Sequence, residues 1–313
     1  MEGLGRKPGL GHSSELTLVL DSYFNRLERV PCVSIVDELI RSLAHFHDIA
    51  AASASLAEFR VQCQNHPLHA LVLQDPFTER AFTKPRGYAG DAVMLDYIYR
   101  PVRLSLTDIG EAFHFATTGI STARSIAWRR DRFGAHIGKT IGRKRNAQIL
   151  SVANGNLREL DRVKKLTDKR DVGIVALDQD EASLRDAVNS YPDFHIRPVK
   201  GSISHLFRER DGAKYDLIYS ASLFDELSAG TASSVLKRLI RMLRPDGRLL
   251  LGNYAPENYG RGYMEGMMDW TPVCRGESDL KRLVAILSEG CGYRTYRDSP
   301  GNIVYLEVFS HRN

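Results

Sequence analysis

The sequence has few cysteines and no long apolar run, and each absence excludes a class of protein. The cysteines are scattered without the spacing of a metal site, so we expect neither a disulfide framework nor bound zinc. They are Cys32, Cys63, Cys274 and Cys291. No apolar run approaches the roughly 18 residues that a membrane-spanning helix needs, and the first residues lack the apolar core of a secretory signal. We therefore expect a cytoplasmic protein without a metal or a membrane partner.

Positive charge is concentrated in one part of an otherwise ordinary composition. The chain has 43 Lys and Arg against 38 Asp and Glu. A basic cluster between positions 124 and 145 is typical of a nucleic-acid or anion-binding patch, but also of a solvated helix face. We favour the helix face, because no aromatic stacking motif is interleaved with the charges. The cluster consists of Arg124, Arg129, Arg130, Arg132, Lys139, Arg143, Lys144 and Arg145.

Up to about residue 145, the pattern is that of successive helices. Apolar residues recur every three or four positions, and prolines separate the segments. The predicted helices are 16–27, 34–59, 68–73, 91–99, 109–117 and 121–143. We predict a helical N-terminal domain at residues 1–145.

After residue 145, strand-like apolar runs alternate with helical stretches. The predicted strands are 147–152, 172–177, 194–198, 215–220 and 248–253, with a closing pair at 293–296 and 303–309. Helices are predicted at 232–243 and 280–288, and residues 244–247 are interpreted as a sharp stop before the fifth strand. This alternation implies an α/β, Rossmann-like domain at 146–313, with ligands bound at the carboxyl ends of its strands.

Small and polar residues follow the predicted strands at that edge. Gly155 lies between the first strand and a helix, where its backbone can turn tightly and approach a ligand. It is the only glycine in that turn, so the dinucleotide fingerprint is incomplete, which argues against NAD. Asp178 ends the second strand and is suited to accept ribose hydroxyls. An ordinary turn and a helix cap are the alternatives for these two residues. Gly201, Ser202 and Ile203 follow the third strand, and Ser220 to Asp225 follow the fourth.

These features occur in the order found in class I S-adenosylmethionine (SAM)-dependent methyltransferases, which residues 146–310 therefore resemble. The shared features are the glycine turn, the acidic end of the second strand, Tyr215-Asp216-Leu217-Ile218, and the turn from Leu243 to Gly247. The resemblance implies a Rossmann-like class I methyltransferase domain that uses SAM.

A narrower resemblance depends on Lys84-Pro85-Arg86-Gly87-Tyr88-Ala89-Gly90-Asp91. It also includes His66-Pro67, Ser220-Ala221-Ser222-Leu223-Phe224-Asp225, Tyr263-Met264-Glu265 and Asp269-Trp270. With these, residues 65–310 resemble a bacterial group that contains hydroxy-fatty-acid methyl ester synthases and azetidine-2-carboxylate synthases, the latter of which cyclise SAM. The resemblance implies that the helical half is a cap over the cofactor pocket. Asn154 and Asn156 depart from the fatty-acid branch, which has small residues and a proline there.

The expected chemistry defines the candidate residues. Methyl transfer aligns a nucleophile with the methyl group of a sulfonium cation, which aromatic faces can hold. An amine or hydroxyl acceptor needs a general base, whereas a carboxylate does not. The aromatic candidates are Tyr88, Tyr97, Tyr219, Phe224, Tyr254 and Trp270, the acids are Asp91, Asp225 and Glu265, and the partners for the methionine carboxylate are Arg86, Arg129 and Arg130.

From these candidates we predict two sets of site residues and no metal ligand. The catalytic set is Tyr88, Asp91, Asn154, Ser220 and Asp225. The cofactor-binding set is Arg86, Arg129, Ala153, Asn154, Gly155, Asn156, Asp178, Gln179, Gly201, Ser202, Ile203, Ser220, Ala221, Ser222 and Phe224.

Three functions fit the sequence. The first, which we favour, is methyl transfer from SAM to a small carboxylate or amine in secondary or signal metabolism. In the second, SAM is the substrate: its amine attacks its own γ-carbon, methylthioadenosine leaves, and azetidine-2-carboxylate forms. Asn154, Asn156, Ser220 and Asp91 could supply polar groups for that cyclisation. The third is modification or binding of nucleic acid, which only the basic cluster favours, and the Asn-Pro-Pro-Tyr type motif of many base methyltransferases is missing after the fourth strand.

Overall fold

The computed structural model describes residues 10–101, 104, 106–163, 172–208, 214–285 and 291–310. The chain divides into a helical unit, Met1–Arg124 with Tyr259–Thr271, and a sheet unit, Ser125–Asn258 with Pro272–Asn313. The division therefore lies at Arg124, not at residue 145 where the sequence pattern changes, and a late segment of the chain returns to the helical unit. Among the described residues, no helix is both long and apolar enough to cross a membrane.

The elements follow one another with few irregular stretches. The helices are α1 (Leu10–Arg29), α2 (Val33–Ala52), α3 (Leu56–Asn65), α4 (Leu68–Val72), α5 (Pro76–Thr83), α6 (Ala92–Tyr99), α7 (Asp108–Gly119), α8 (Ser121–Arg143), α9 (Glu181–Ser190), α10 (His205–Arg208), α11 (Ala229–Arg241), α12 (Arg261–Gly266) and α13 (Glu277–Val284). The strands are β1 (Gln148–Val152), β2 (Gly173–Asp178), β3 (His195–Lys200), β4 (Tyr215–Ser220), β5 (Leu243–Tyr254), β6 (Cys291–Arg297) and β7 (Ile303–Ser310).

Two differences from the sequence prediction occur early in the helical unit. The predicted helix 34–59 is two helices, because Ala54 between them has a positive φ of 55° and cannot continue a right-handed helix. Helix α5 was not predicted, although its start signals are present. The Asp75 side chain accepts the backbone N–H groups of Phe77 and Thr78, and a proline begins the helix.

The late segment belongs to the helical unit because α12 packs closely on α2. A Cβ atom at Gly262 would lie 2.3 Å from the Leu43 carbonyl oxygen, so only glycine permits this approach. The next side chain, Tyr263, is fully buried, and its hydroxyl shares a 2.9 Å hydrogen bond with the Thr78 hydroxyl. These two contacts attach Tyr259–Thr271 to the helical unit, although the chain before and after it belongs to the sheet unit.

The sheet unit contains a seven-stranded sheet in the order β3-β2-β1-β4-β5-β7-β6. Strands β1 to β5 are parallel, β7 is antiparallel to β5, and β6 is antiparallel to β7. The predicted α/β class and the predicted closing pair of strands are thus confirmed. The strand order reverses between β1 and β4, and ligands bind at such a switch point in open α/β sheets.

The predicted stop at 244–247 is wrong, because these residues lie inside β5. The strand begins at Leu243, which pairs with Tyr215, and the pairing register shifts before it resumes at Arg248. Within this irregularity Asp246 has a positive φ of 61°. The turn-forming residues therefore make a bulge in a continuous strand.

Two helices of the sheet unit differ from their predicted limits. Helix α11 begins at Ala229, where the Ser228 side chain caps it by accepting the Thr231 N–H. Helix α13 begins at Glu277, and its predicted end at 288 lies outside the described residues.

Candidate functional site

The turn after β1 contains only one glycine, but three of its residues have the positive φ angles that glycine favours. Ala153, Gly155 and Leu157 have positive φ angles of 54°, 58° and 53°, so every second residue is left-handed. The left-handed conformation costs a non-glycine residue about 1–2 kcal/mol, and it persists only where surrounding contacts enforce it. A 3-10 helix, Arg158–Arg162, follows, where the sequence predicted a helix. The loop shape is thus present without the glycine pattern that would predict it.

The Asn154 side chain joins the ends of β1 and β4. Its Nδ2 donates to Ser151 Oγ at 2.7 Å and to the Tyr219 carbonyl oxygen at 3.2 Å. Its Oδ1 accepts the Ala221 N–H at 2.6 Å. Protein partners therefore occupy both ends of an amide that the sequence analysis assigned to catalysis and to the cofactor. The structure gives this side chain a clamping role instead. Asn156, in the same turn, is buried.

Asp178, at the end of β2, is tied to the same turn. Its carboxylate accepts the Gly155 N–H at Oδ2 and the Asp180 N–H at Oδ1, both at 2.9 Å. Burial raises the pKa of Asp178, and the two N–H groups oppose that shift. The Gln179 N–H also opposes the shift, so of about four acceptor sites the carboxylate retains one for a hydroxyl group. The following residue, Gln179, is exposed.

The end of β3 lies beside the end of β2. The Gly201 N–H donates to the Asp178 carbonyl oxygen at 2.9 Å. Ser202 is exposed and its hydroxyl shares a 2.8 Å hydrogen bond with the Ser204 hydroxyl, while Ile203 packs against the hydrophobic core of the sheet unit. The structure thus brings the predicted residues of the first three strands to one edge of the sheet.

The end of β4 completes this edge. Ser220 is fully buried, and its hydroxyl has no hydrogen-bond partner among the described residues. Arg129 of α8 donates to the Ala221 carbonyl oxygen at 3.1 Å, so this predicted residue does reach the edge. Ser222 is half-buried just before a 3-10 helix. Phe224 is fully buried in the hydrophobic core, and the structure assigns it to the core rather than to the predicted cofactor contact.

Asp225 is part of a buried polar network at the ends of β4 and β5. Its Oδ1 accepts the Asn253 amide at 2.9 Å and the Tyr254 N–H at 2.7 Å. Arg275 donates to Asn253 Oδ1 at 2.9 Å. Burial raises the pKa of Asp225 to about 8, against the opposing effects of the Tyr254 N–H and of the nearby arginines. These contacts connect the two strand ends, which is a structural role for a predicted catalytic acid.

Sequence reasoning missed Glu159, a second buried acid near the turn. The Tyr219 hydroxyl donates to Glu159 Oε1 at 2.5 Å. Burial raises the pKa of Glu159 to about 7. The sequence carries no signal for it, because Glu159 lies among the charged residues Arg158, Asp161 and Arg162. Two of the predicted aromatic candidates, Tyr219 and Tyr254, are fully buried.

Two distant motif segments meet within the helical unit. Lys84 forms an ion pair with Asp269, and a Cβ atom at Gly90 would lie 2.6 Å from the Trp270 ring. Lys84, Gly90 and Asp269 have positive φ angles, as does Gly87. Left-handed residues cluster where the surrounding structure enforces strain, which often marks a functional segment.

Other predicted residues of the helical unit have structural partners. Asp91 is buried, caps α6 by accepting the Met94 N–H at 2.9 Å, and accepts Arg80 Nε at 2.8 Å. Arg86 and Tyr88 are half-buried in the same segment.

The remaining candidates also form contacts with other side chains. Glu265 is buried and paired with Arg60 and Arg261, and the Tyr97 ring contacts His114 edge to face. Arg130, in the sheet unit, pairs with its neighbour in sequence, Asp131. Across the described part of the chain, no group of His, Cys, Asp and Glu side chains is placed to hold a metal ion.

Comparisons with known proteins define the fold class. No protein-family model matches the chain, and a search of curated proteins finds no match. Among solved structures, a possible exported protein from Bordetella parapertussis is similar with a TM-score of 0.61 and 16% identity, covering 83% of this chain and 97% of that one. The CurJ carbon methyltransferase is similar with a TM-score of 0.52 and 14% identity, covering 88% and 71%.

A third similar structure is the plantazolicin methyltransferase BpumL in complex with S-adenosylhomocysteine (SAH). Its TM-score is 0.50 at 11% identity, and the match covers 78% of this chain and 97% of that one. At such identities the similarity shows the fold alone. The chain has the Rossmann-like class I methyltransferase fold with a helical N-terminal part.

Proposed function

We propose that the protein binds SAM at the edge formed by the ends of β1, β2 and β4 and transfers its methyl group to a small molecule. The observation that carries this proposal is the left-handed turn at Ala153, Gly155 and Leu157, whose central N–H is held by the Asp178 carboxylate. A loop of this shape allows close backbone approach to a ligand, and an acid at the end of the second strand is suited to a ribose. CurJ and BpumL, which share the fold, are both methyltransferases.

The residues at this edge fit a nucleoside with a charged tail. Asp178 retains an acceptor site for a hydroxyl group. The buried Ser220 hydroxyl lacks a partner among the described residues, and an unmade bond of that kind costs roughly 1–3 kcal/mol until a ligand or water supplies it. The residues of the sheet unit that we propose as cofactor contacts are Arg129, Ala153, Gly155, Asn156, Asp178, Gln179, Gly201, Ser202, Ile203, Ser220, Ala221 and Ser222.

The partners of the acidic side chains favour a carboxylate acceptor. Bound SAM would supply a methyl group on a positively charged sulfur, so the protein has mainly to align a nucleophile. An amine or hydroxyl acceptor would need a general base. Asp91, Asp225 and Glu265 are all buried and bonded to neighbouring groups, as described above. A carboxylate is already ionised at neutral pH and needs no base, so we propose a small carboxylic acid as the acceptor.

The same contacts do not favour cyclisation of SAM. That reaction would use free polar groups around the cofactor amine, and Asn154 and Asp91 were candidates for them. The Asn154 amide clamps β1 to β4, and the Asp91 carboxylate caps α6 and pairs with Arg80. Two of the four polar groups expected for cyclisation are thereby committed to the fold.

Mass spectrometry of the reaction products tests the proposal. The protein is incubated with SAM carrying a deuterated methyl group, first alone and then with a mixture of small carboxylic acids. We expect SAH and a deuterated methyl ester only when the acids are present. Asp178→Ala should lose this activity, whereas Glu181→Gln, an exposed acid paired with Lys200, should keep it. Methylthioadenosine formed from SAM alone would contradict methyl transfer and support cyclisation.

We also propose that the helical unit takes part in turnover through Arg86 and Tyr88. The reason is the concentration of left-handed residues around them, which a purely structural turn does not require. Tyr88→Phe should lower kcat while leaving the urea midpoint of unfolding unchanged. Full activity in both Tyr88→Phe and Arg86→Gln would remove the segment from the site.

A further inference from the structure

The sheet unit contains a cavity at the edge of the sheet opposite to the proposed SAM site. Its volume is about 270 Å³, and it lies between the end of α8 and the strands β4 to β7. Asp216, near the start of β4, lines it and accepts the Gln148 N–H at the first residue of β1. The proposed cofactor turn follows Val152, the last residue of β1. The cavity therefore lies at the amino ends of the parallel strands, away from the carboxyl ends that would hold SAM.

One face of α8 supplies cations to this cavity. His136, Lys139, Thr140 and Arg143 line it, at spacings of three and four residues that put them on the same side of a helix. Lys144 lines it just beyond the helix end. Within the described residues, the three cationic groups Lys139, Arg143 and Lys144 make no ion pair. These are members of the basic cluster whose role the proposed function does not explain.

The other two cations of the cavity share one protein acid, Glu307. Arg248 donates to Glu307 Oε1 at 2.6 Å, and Arg294 donates to Glu307 Oε2 at 2.6 Å. Asp216 pairs with Arg244 at 2.8 Å. The unpaired positive charge of the cavity thus comes from the α8 side, and it faces charged side chains of strands β4 to β7.

His136 adds a buried polar atom to the same cavity. The residue is 5% exposed, and its Nε2 is buried with no hydrogen-bond partner among the described residues. Burial, together with the charges of Arg132 and Lys139, lowers the pKa of His136 to about 4 against the opposing charge of Glu307. The ring is therefore neutral at physiological pH and can donate one N–H. A buried ring nitrogen without a partner points to a ligand or water that completes it.

The charges lining the cavity indicate the kind of ligand. Five cations face three acids, Asp216, Asp246 and Glu307, which leaves an excess of two positive charges when His136 is neutral. A phosphate monoester carries about −1.5 to −2 at neutral pH and offers three strong acceptor oxygens. Arg143 and the lysines are suited to bind such a group. The volume is close to the lower limit of small-molecule pockets, roughly 300 Å³.

We propose that this cavity binds the phosphoryl group of a small phosphorylated metabolite, with Arg143, Lys139 and His136 as its contacts. A nucleic acid is a poorer match, because the three acids of the cavity would repel a continuous phosphate backbone. The cavity lining also contains no Phe, Tyr or Trp ring on which a base could stack. The site is independent of SAM binding, since it lies at the other end of the strands.

Calorimetry with the intact protein tests the proposal. The probes are glycerol 3-phosphate, inorganic phosphate, sodium acetate and a single-stranded oligonucleotide, each at fixed ionic strength. We expect one molecule of glycerol 3-phosphate per chain, and at least a tenfold weaker Kd in Arg143→Gln and Lys139→Gln. Lys237→Gln is the control, because it removes an exposed helical lysine of the same unit that does not line the cavity. Its Kd should equal that of the wild type.

The NMR signal of the His136 ring provides a second readout at the site itself. We expect this signal to shift during titration with glycerol 3-phosphate in the wild type and in Lys237→Gln, but not in Arg143→Gln. Equal binding by all variants would overturn the proposal, because it would show a general charge effect. Tighter binding of the oligonucleotide, with a steep salt dependence, would also overturn it in favour of nucleic acid.

Discussion

Replacing Asp225 by Asn should make the stability of the protein less dependent on pH. The Asp225 side chain is 2% exposed, and its Oδ1 accepts hydrogen bonds from Asn253 and Tyr254. Its Oδ2 has no hydrogen-bond partner within the described residues. Because burial disfavours the charged form, it raises the pKa of this carboxyl group to about 8. An Asn side chain has the same shape and stays neutral at every pH.

The size and sign of the effect follow from proton binding. Between about pH 4 and pH 8 the folded state holds a proton on Asp225 that the unfolded chain has lost. The folded state thus binds more protons, so the free energy of unfolding falls as the pH rises through this window. The limiting slope is about 1.4 kcal/mol per pH unit, which gives an upper limit of roughly 6 kcal/mol. Local relaxation reduces it, and we expect Asp225→Asn to gain roughly 2–4 kcal/mol over the wild type across the window.

Urea denaturation of both proteins across this pH range measures the gain. The difference between variant and wild type cancels the other titrating groups, including Glu159. Glu226→Gln removes an exposed acid one residue away, whose charge is only a lesser cause of the raised pKa of Asp225, so its difference from the wild type should vary with pH much less than that of Asp225→Asn. A constant gap between Asp225→Asn and the wild type would mean that Asp225 is ionised in the folded protein, and the reasoning would be refuted.

Three further substitutions test local parts of the account. Gly90→Ala should destabilise the protein by roughly 2–4 kcal/mol, because the new Cβ meets the Trp270 ring and φ is positive. Gly87→Ala, whose new Cβ has no atom within 4 Å, should cost only about 1 kcal/mol of backbone strain. Equal urea midpoints for the two variants would contradict this. Asn154→Ala should lower the free energy of unfolding by roughly 1–3 kcal/mol, since it leaves buried strand-end groups unpaired, and an unchanged urea midpoint would rule out the clamp. Ser220→Ala should leave the melting temperature unchanged and weaken SAH binding in calorimetry; a protein that melts earlier but binds SAH equally would show that the hydroxyl serves the fold.

The sequence predicts the sheet unit well because its signals are local. Strands β1, β2, β4 and β7 are short, buried and mainly apolar runs, so they could be predicted from the local pattern. The bulge in β5 could not, because its turn-forming residues are a valid stop signal that pairing with β4 overrides. In the helical unit, the break at Ala54 carries no glycine or proline to mark it.

The sequence likewise predicts only part of the candidate site. Gly155 and Asp178 could be predicted, since each is an unusual residue at a strand end. The clamp by Asn154 and the pairing of Asp225 with Asn253 could not, because each joins residues that only the folded sheet brings together. The left-handed Leu157 is the clearest case, since nothing in its residue type indicates that conformation.

The central claim is that the edge of β1 and β2 binds SAM, and calorimetric titration with SAH tests it most directly. We expect the wild type and Glu181→Gln to bind one SAH per chain with equal affinity. Asp178→Ala should bind about 10- to 150-fold more weakly, which corresponds to the loss of roughly 1.5–3 kcal/mol in hydrogen bonds to a charged group. No binding of SAH by the wild type, or the same affinity in Asp178→Ala, would contradict the account.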